Sequence, residues 1–183
     1  MTALARPDVR LHRSWAAAMS EQHSEGLHVS GSGLWMVPEA EQWDLTESGC
    51  ARFVQVLLAA EDEPDGDDMV PCEFYWVTDG ADEEVVGFLA IRTRLNDWLF
   101  NEGGHIGFGI RPSRRREGHA ARALALAVRR CAELGIDRAL VTCDEDNVAS
   151  ARTIEHGGGV HEDTRNGKRR YWIDTGGAST DSP

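Results

Sequence analysis

The chain has 183 residues, of which 41% are apolar, enough for the core of one ordinary domain. No apolar run is long enough to span a membrane, and the formal net charge of −12 makes the chain as a whole a poor nucleic-acid binder. The four cysteines (Cys50, Cys72, Cys131, Cys143) are scattered, with no C-x-x-C and no Cys/His pair at zinc-ligand spacing, so free thiols in a reducing cytoplasm are expected.

The first residues lack the apolar core and cleavage site of a signal peptide. Val9-Arg10-Leu11 reads as a short first strand. Ser14 follows as the cap of a helix over Trp15, Ala16, Ala18 and Met19. A glycine- and serine-rich loop over 26–33 leads to Leu34, Trp35 and Met36. A second helix is expected over about 46–60, with Phe53, Val56, Leu57 and Ala60 on one face. The run 61–68, EDEPDGDD, lacks EF-hand spacing and a closing Glu, and reads as a solvated mobile loop. Strands are expected over 73–78 and 84–93, joined by Asp79-Gly80 turn chemistry, and an ordered loop with aromatic anchors over 94–104.

The stretch 103–134 organises the rest. A short strand over 105–110 gives way to a basic turn over 111–117 and then to a long helix from about Gly118 to Leu134. The apolar positions of that helix (Ala120, Leu124, Ala127, Val128, Cys131, Leu134) recur at spacings of three and four. Gly135 is a stop signal. Arg114, Arg115 and Arg116 stand just before Gly118, His119 and Ala120. A helix N-terminus offers free N–H groups and a dipole that favours an anion, small residues let a phosphate approach, and arginine adds fork-shaped donors. The stretch therefore reads as a phosphate or pyrophosphate cradle. It is neither G-x-G-x-x-G after a strand nor G-x-x-x-x-G-K-[ST], which excludes the dinucleotide and P-loop motifs. Beyond it, 138–143 reads as a strand and Asn147 as the cap of a helix from Val148 to about His156, ended by Gly157-Gly158-Gly159. A final hairpin (160–162 and 170–173) turns at Asn166-Gly167.

Arg115-Arg116-Glu117-Gly118-His119-Ala120 fits the pattern [QR]-x-x-G-x-[GA]. Ile110-Arg111-Pro112 closes a strand before it, and Asn147-Val148-Ala149-Ser150 opens a helix behind a later strand. In this order the features resemble the GNAT acetyltransferase superfamily and its acetyl-CoA pyrophosphate loop. The resemblance spans roughly 72–173. Over 94–162 the runs R-L-N…N-E-G-G-H-I-G, T-C-D-x-D-N and G-G-G-V are similar to a bacterial subgroup known mainly as predicted acetyltransferases.

The resemblance implies an α/β (α+β) fold, a central mixed, mostly antiparallel twisted sheet flanked by helices and splayed between its fourth and fifth strands. The expected organisation is one domain over 1–175 and a disordered tail over 176–183. The implied activity is direct transfer of an acetyl group from acetyl-CoA to a primary amine in a ternary complex. It needs no metal, involves neither nucleic acid nor membrane, and belongs to a cytoplasmic monomer or homodimer. Acetyl-CoA would be held by Arg115, Arg116, Glu117, Gly118, His119 and Ala120, by Phe108 and Ile110 along the central strand, and by Asn147 and Ser150. A backbone N–H near Phe108 or Ile110 would polarise the thioester carbonyl. Trp35 and Asn101 are the expected acceptor-binding residues, with anchoring of a loop on the core as the alternative for 34–36.

The general base is expected to be His105 or Glu102. Many family members carry Glu at the position of His105, and an imidazole suits removal of an ammonium proton; the alternative is a structural His105 bonded to a loop. The Tyr that many members place seven residues after the Asn, as proton donor to the thiolate, is Ile154 here. That departure keeps open a CoA-binding sensor without turnover. Gly107 and Gly109 fit a cofactor lying close, leave room for a larger acyl group, or relieve crowding by a neighbouring helix. An acyl-cysteine at Cys143 lacks an adjacent base in the sequence.

Overall fold

The computed structural model describes residues 1–24, 26, 29–62, 69–80 and 84–176. Most of the acidic run 61–68 and all but the first residue of the expected tail lie outside the described residues.

The strands are β1 (Thr2–Ala5), β2 (Cys72–Asp79), β3 (Glu84–Arg92), β4 (Ile106–Ile110), β5 (Arg138–Asp144), β6 (Val160–Arg165) and β7 (Lys168–Asp174). The helices are α1 (His12–Ser24), α2 (Glu47–Ala59), α3 (His119–Glu133) and α4 (Val148–His156). The strands form one sheet in the order β1-β2-β3-β4-β5-β7-β6, antiparallel except for the β4–β5 pair.

Alternation along β3 shows how the sheet is sandwiched. Val85, Phe88 and Ala90 belong to the cluster under α1 and α2, with Trp15, Phe53, Leu57, Phe74 and Trp76. Val86, Leu89 and Ile91 belong to the cluster under α3 and α4, with Ile106, Leu124, Ala127, Cys131 and Ile154. A bulge opposite Val77 and Thr78 shifts the alternation by one residue, so Val85 shares a face with Phe88 and Ala90 and Val86 shares one with Leu89 and Ile91. α1 is fixed to the sheet by chemistry as well as by packing: the Val85 N–H donates to Ser14 Oγ at 2.7 Å.

Ser14 is thus inside α1 and does not cap it. The expected first strand is also corrected. Val9–Leu11 forms a 3₁₀ turn because Asp8 accepts the Arg10 N–H and starts a helical entry, while the edge strand is Thr2–Ala5. Asn147 caps α4 as expected, accepting from the Ser150 N–H, and at the start of α2 Thr46 accepts from the Gly49 N–H. The loop before β4 holds one unexpected element, a π turn over Leu99–Gly103. All four cysteines are free and buried.

Candidate functional site

β4 and β5 share one register pair, Ile106 with Val141, and part beyond it. Their junction is clamped from both sides: the His105 N–H donates to the Leu140 carbonyl at 2.7 Å, and the Leu140 N–H donates to His105 Nδ1 at 2.9 Å. On the other edge of β4, the Arg92 N–H donates to the His105 carbonyl and the Arg111 N–H to the Val86 carbonyl. Antiparallel ladders alternate, so Gly107 and Gly109 spend their peptide groups on β3. Those of Phe108 and Ile110 face the opening toward β5.

The two faces of β4 differ. Ile106, Phe108 and Ile110 pack with the cluster beneath α3. Gly107 and Gly109 lie on the other face, opposite Ala90 and Phe88. A Cβ on Gly107 would stand 3.1 Å from an Arg92 guanidinium nitrogen, and one on Gly109 would stand 3.1 Å from the Ser30 carbonyl oxygen. Gly31, at φ +77°, is pressed against the Gly107 carbonyl so closely that a Cβ there would come within 2.6 Å of it. The glycines thus make room for Arg92 and the Ser30–Gly31 backbone.

At the far end of β4, the basic turn divides by role. Arg111 bonds Glu21 of α1 through Nε and Nη2 at 2.6 Å, and the Ser113 N–H and hydroxyl donate to the same carboxylate. Arg114 is enclosed by Asp79 (2.7 Å), Glu117 (3.0 Å) and Glu84. Arg115 and Arg116 are exposed and form no ion pair among the described residues; Arg115 Nε donates to the Ile110 carbonyl at 3.2 Å. Arg116 has φ +63°, a left-handed conformation rare outside glycine and concentrated at functional sites.

Gly118, at φ +82°, precedes α3, and no side chain caps the helix. α2 and α4 both carry side-chain caps. The free N–H groups and dipole of α3 therefore face the turn, and beside them stand two arginines that form no ion pair among the described residues, backbone and guanidinium donors of the kind that suit an anion.

Two residues expected on the ligand are turned away from it. His119 is 3% exposed; its Nδ1 meets Thr2 Oγ1 at 2.9 Å and its Nε2 meets Glu117 at 3.2 Å. The Glu117 carboxylate is taken by Arg114 and His119. Only their backbone groups are left to face a phosphate. Asn147 caps α4 with its carbonyl oxygen, so its amide group is what remains for a ligand, while Ser150 sits in the first turn.

The proton-handling candidates are also separated by geometry. His105 is 7% exposed, and burial together with Arg92 lowers its pKa to about 4. With Nδ1 accepting from Leu140, the neutral ring carries its proton on Nε2 and has no free lone pair. The expectation of His105 as base is therefore corrected to a structural role, although its partner is a strand N–H and not a loop carbonyl. Glu102 stands on the π turn, half-buried, with its carboxylate accepting from Asn166 Nδ2 at 3.0 Å and its carbonyl accepting from Thr142 Oγ1 at 2.6 Å. Asn101 spends both ends of its amide, on the Asp97 carbonyl (2.7 Å) and on Arg165 (3.3 Å), so acceptor binding is not its geometry. Trp35 is 52% exposed on a 3₁₀ turn whose flanking Leu34 and Met36 pack on the core, which divides the two expectations for that segment.

Ile154, on the inner face of α4, is wholly buried. Burial pushes the Cys143 thiol up, away from thiolate chemistry. The sequence reading missed Arg92, whose lone charge at the end of an apolar strand reads as a strand terminus. It also missed Ser30 and Gly31, which look like loop filler until they are seen against β4.

The family model of the acetyltransferase (GNAT) domain matches residues 13–160. The sequence matches no curated relative. Among solved structures, the chain is similar to Mycobacterium smegmatis RimJ in complex with CoA-disulfide, with TM-score 0.67 and 18% identity over 94% of this chain and 81% of that one. It is similar also to the microcin C7 self-immunity acetyltransferase MccE in complex with acetyl-CoA and AMP, with TM-score 0.63 and 12% identity over 94% and 92% of the two chains. A third is the ribosomal-protein-S5-alanine acetyltransferase from Vibrio fischeri, with TM-score 0.63 and 13% identity over 100% and 94%. Among the described residues, no helix is long and apolar enough to cross a membrane.

Proposed function

The chain belongs to the GNAT acetyltransferase family, and from that premise we propose that it moves the acetyl group of acetyl-CoA to an acceptor amine by direct attack in a ternary complex. The observation that carries this reading is the opening between β4 and β5: past Ile106 and Val141 the Phe108 and Ile110 N–H groups face a gap with no strand to take them. A pantetheine arm laid there completes the ladder. The diphosphate then falls at the start of α3, on its backbone N–H groups, Arg115 and Arg116.

In this reading the Phe108 N–H donates to the thioester oxygen, and more strongly as it becomes an oxyanion; one such donor is worth about 10²–10³ in rate. The neutral amine attacks the carbonyl carbon, the tetrahedral intermediate collapses, and CoA leaves as its thiolate. The amine proton passes to Glu102 directly or through water, since His105 has no free lone pair. Trp35 borders the acceptor side. Gly118 and Ala120 supply close approach to the diphosphate, and Asn147 and Ser150 lie at the start of α4 beside the other wall of the gap. We place the reaction in the cytoplasm, where acetyl-CoA is available, in a monomer or homodimer.

The buried Ile154 favours a second reading, a CoA-binding protein that does not turn over. Thiol release from acetyl-CoA against a panel of amines, run beside thermal stabilisation by CoA, separates the two. Turnover supports the transferase, stabilisation without turnover on any amine supports the sensor, and no stabilisation by CoA overturns both.

A further inference from the structure

The guanidinium of Arg92 lies on the Gly107 face of β4 with no carboxylate partner among the described residues. Nη1 donates to the Gly103 and Gly104 carbonyls at 3.3 and 3.5 Å, long contacts that leave Nε and Nη2 unspent. The same group lies 3.1 Å from where a Gly107 side chain would begin, one residue from the Phe108 N–H. Three other arginines with little exposure have acids: Arg111 has Glu21, Arg114 has Asp79, and Arg170 has Asp163 and Glu162. A partly desolvated cation left without a counter-ion is costly, and burial already disfavours the charged form of Arg92.

Position supplies the reason for keeping it. Phe108 and its neighbours pack on the face of β4 beneath α3, and Arg92 stands on the Gly107 face; in the transferase reading the amine comes to the thioester across that face, beside Arg92. A bare ammonium would meet like charge there. An amine that also bears a carboxylate would meet a fork of matching geometry, and the same cation would then favour the neutral, nucleophilic form of the amine.

Resting on the transferase reading, we propose that Arg92 is the acceptor-recognition residue and that the acceptor carries a carboxylate within a few bonds of its amine. That carboxylate is either the α-carboxylate of a free amino acid or an acidic side chain next to an amine. Simple polyamines and alkylamines are excluded by the same charge.

The test uses the full chain with acetyl-CoA and three acceptors: serine, serinamide, and isoasparagine, whose only carboxylate is in its side chain. We expect kcat/KM at least tenfold higher for serine or isoasparagine than for serinamide, and the better of the two identifies the source of the carboxylate. In Arg92→Met the preference is lost through KM, and Arg92→Lys retains part of it, while stabilisation by CoA is unchanged in both. Equal use of all three acceptors, or a loss in Arg92→Met that falls equally on all three through kcat, overturns the proposal. A binding measurement needs neither turnover nor a variant: with CoA bound, N-acetylserine or N-acetylisoasparagine raises Tm and N-acetylserinamide does not. Equal shifts by all three products overturn the proposal alone, whereas absence of stabilisation by CoA itself overturns the cofactor reading beneath it.

Discussion

His105 and Leu140 hold each other twice: the His105 N–H donates to the Leu140 carbonyl, and the Leu140 N–H donates to the His105 ring at Nδ1. The pair sits where β4 and β5 last touch before they part, so it sets where the gap begins.

This clamp predicts a pH dependence of stability. The folded pKa of His105 is lowered from 6.5 to about 4 by burial and by Arg92. Between those values the unfolded chain takes up a proton that the folded chain refuses, so stability falls as pH drops. From pH 7 to pH 5 the group accounts for a loss of about 2 kcal/mol, measurable by urea unfolding. His105→Asn keeps an acceptor for Leu140 and removes this part of the slope. An unchanged slope in that variant would show the histidine is not its source.

The arginines of the turn are expected to separate into two classes. Arg115→Ala and Arg116→Ala each weaken CoA about tenfold and leave Tm within a degree or two, because neither has an acidic partner to strand. Arg114→Ala lowers Tm by several degrees, because it releases Asp79, Glu84 and Glu117 together. CoA titration and thermal melting of the three variants decide this; a stable Arg114→Ala with lost CoA binding would reverse the assignment.

If Glu102 takes the amine proton, Glu102→Gln lowers kcat by about 10²–10⁴ and leaves CoA affinity unchanged. The acidic limb of the pH–rate profile goes with it. The Asn166 amide still finds an oxygen on the glutamine, so the β6–β7 turn remains tied to the π turn and Tm holds. Retention of the acidic limb would assign it to another group.

Restoring the tyrosine common in the family does not restore an acid here. Ile154 is fully buried, with a methyl group 2.5 Å from where a Gly159 Cβ would stand. Ile154→Tyr overpacks that site and costs about 1–3 kcal/mol. We expect a lower Tm without a rise in kcat; a gain in kcat would mean the ring reaches the gap.

Much of the site was legible before the fold because its signals are local. The cradle needs three features in consecutive residues: arginines, a glycine at the turn, and an amphipathic helix behind it. All three are properties of one short stretch. The Asn147 cap is equally local, since a side-chain oxygen and an N–H three residues on decide it. Val9–Leu11 misled for the same reason: three residues alternate like a strand, but the neighbouring Asp8 cap sets a helical entry.

The sequence by itself determined the order of elements, the stretch proposed as an anion site and the family to which they belong. The tertiary structure decided which side chains are available to that site. Arg114 and Arg115 are neighbours of one type, yet only folding brings Asp79 and Glu84 against the first and leaves the second in solvent. His105 reads as a base until Leu140, 35 residues away, donates to its ring. Arg92 reads as the end of a strand until β4 lays Gly107 beneath it. Local chemistry is written in neighbours along the chain, whereas protonation, burial and charge pairing are set by residues that only the sheet brings together.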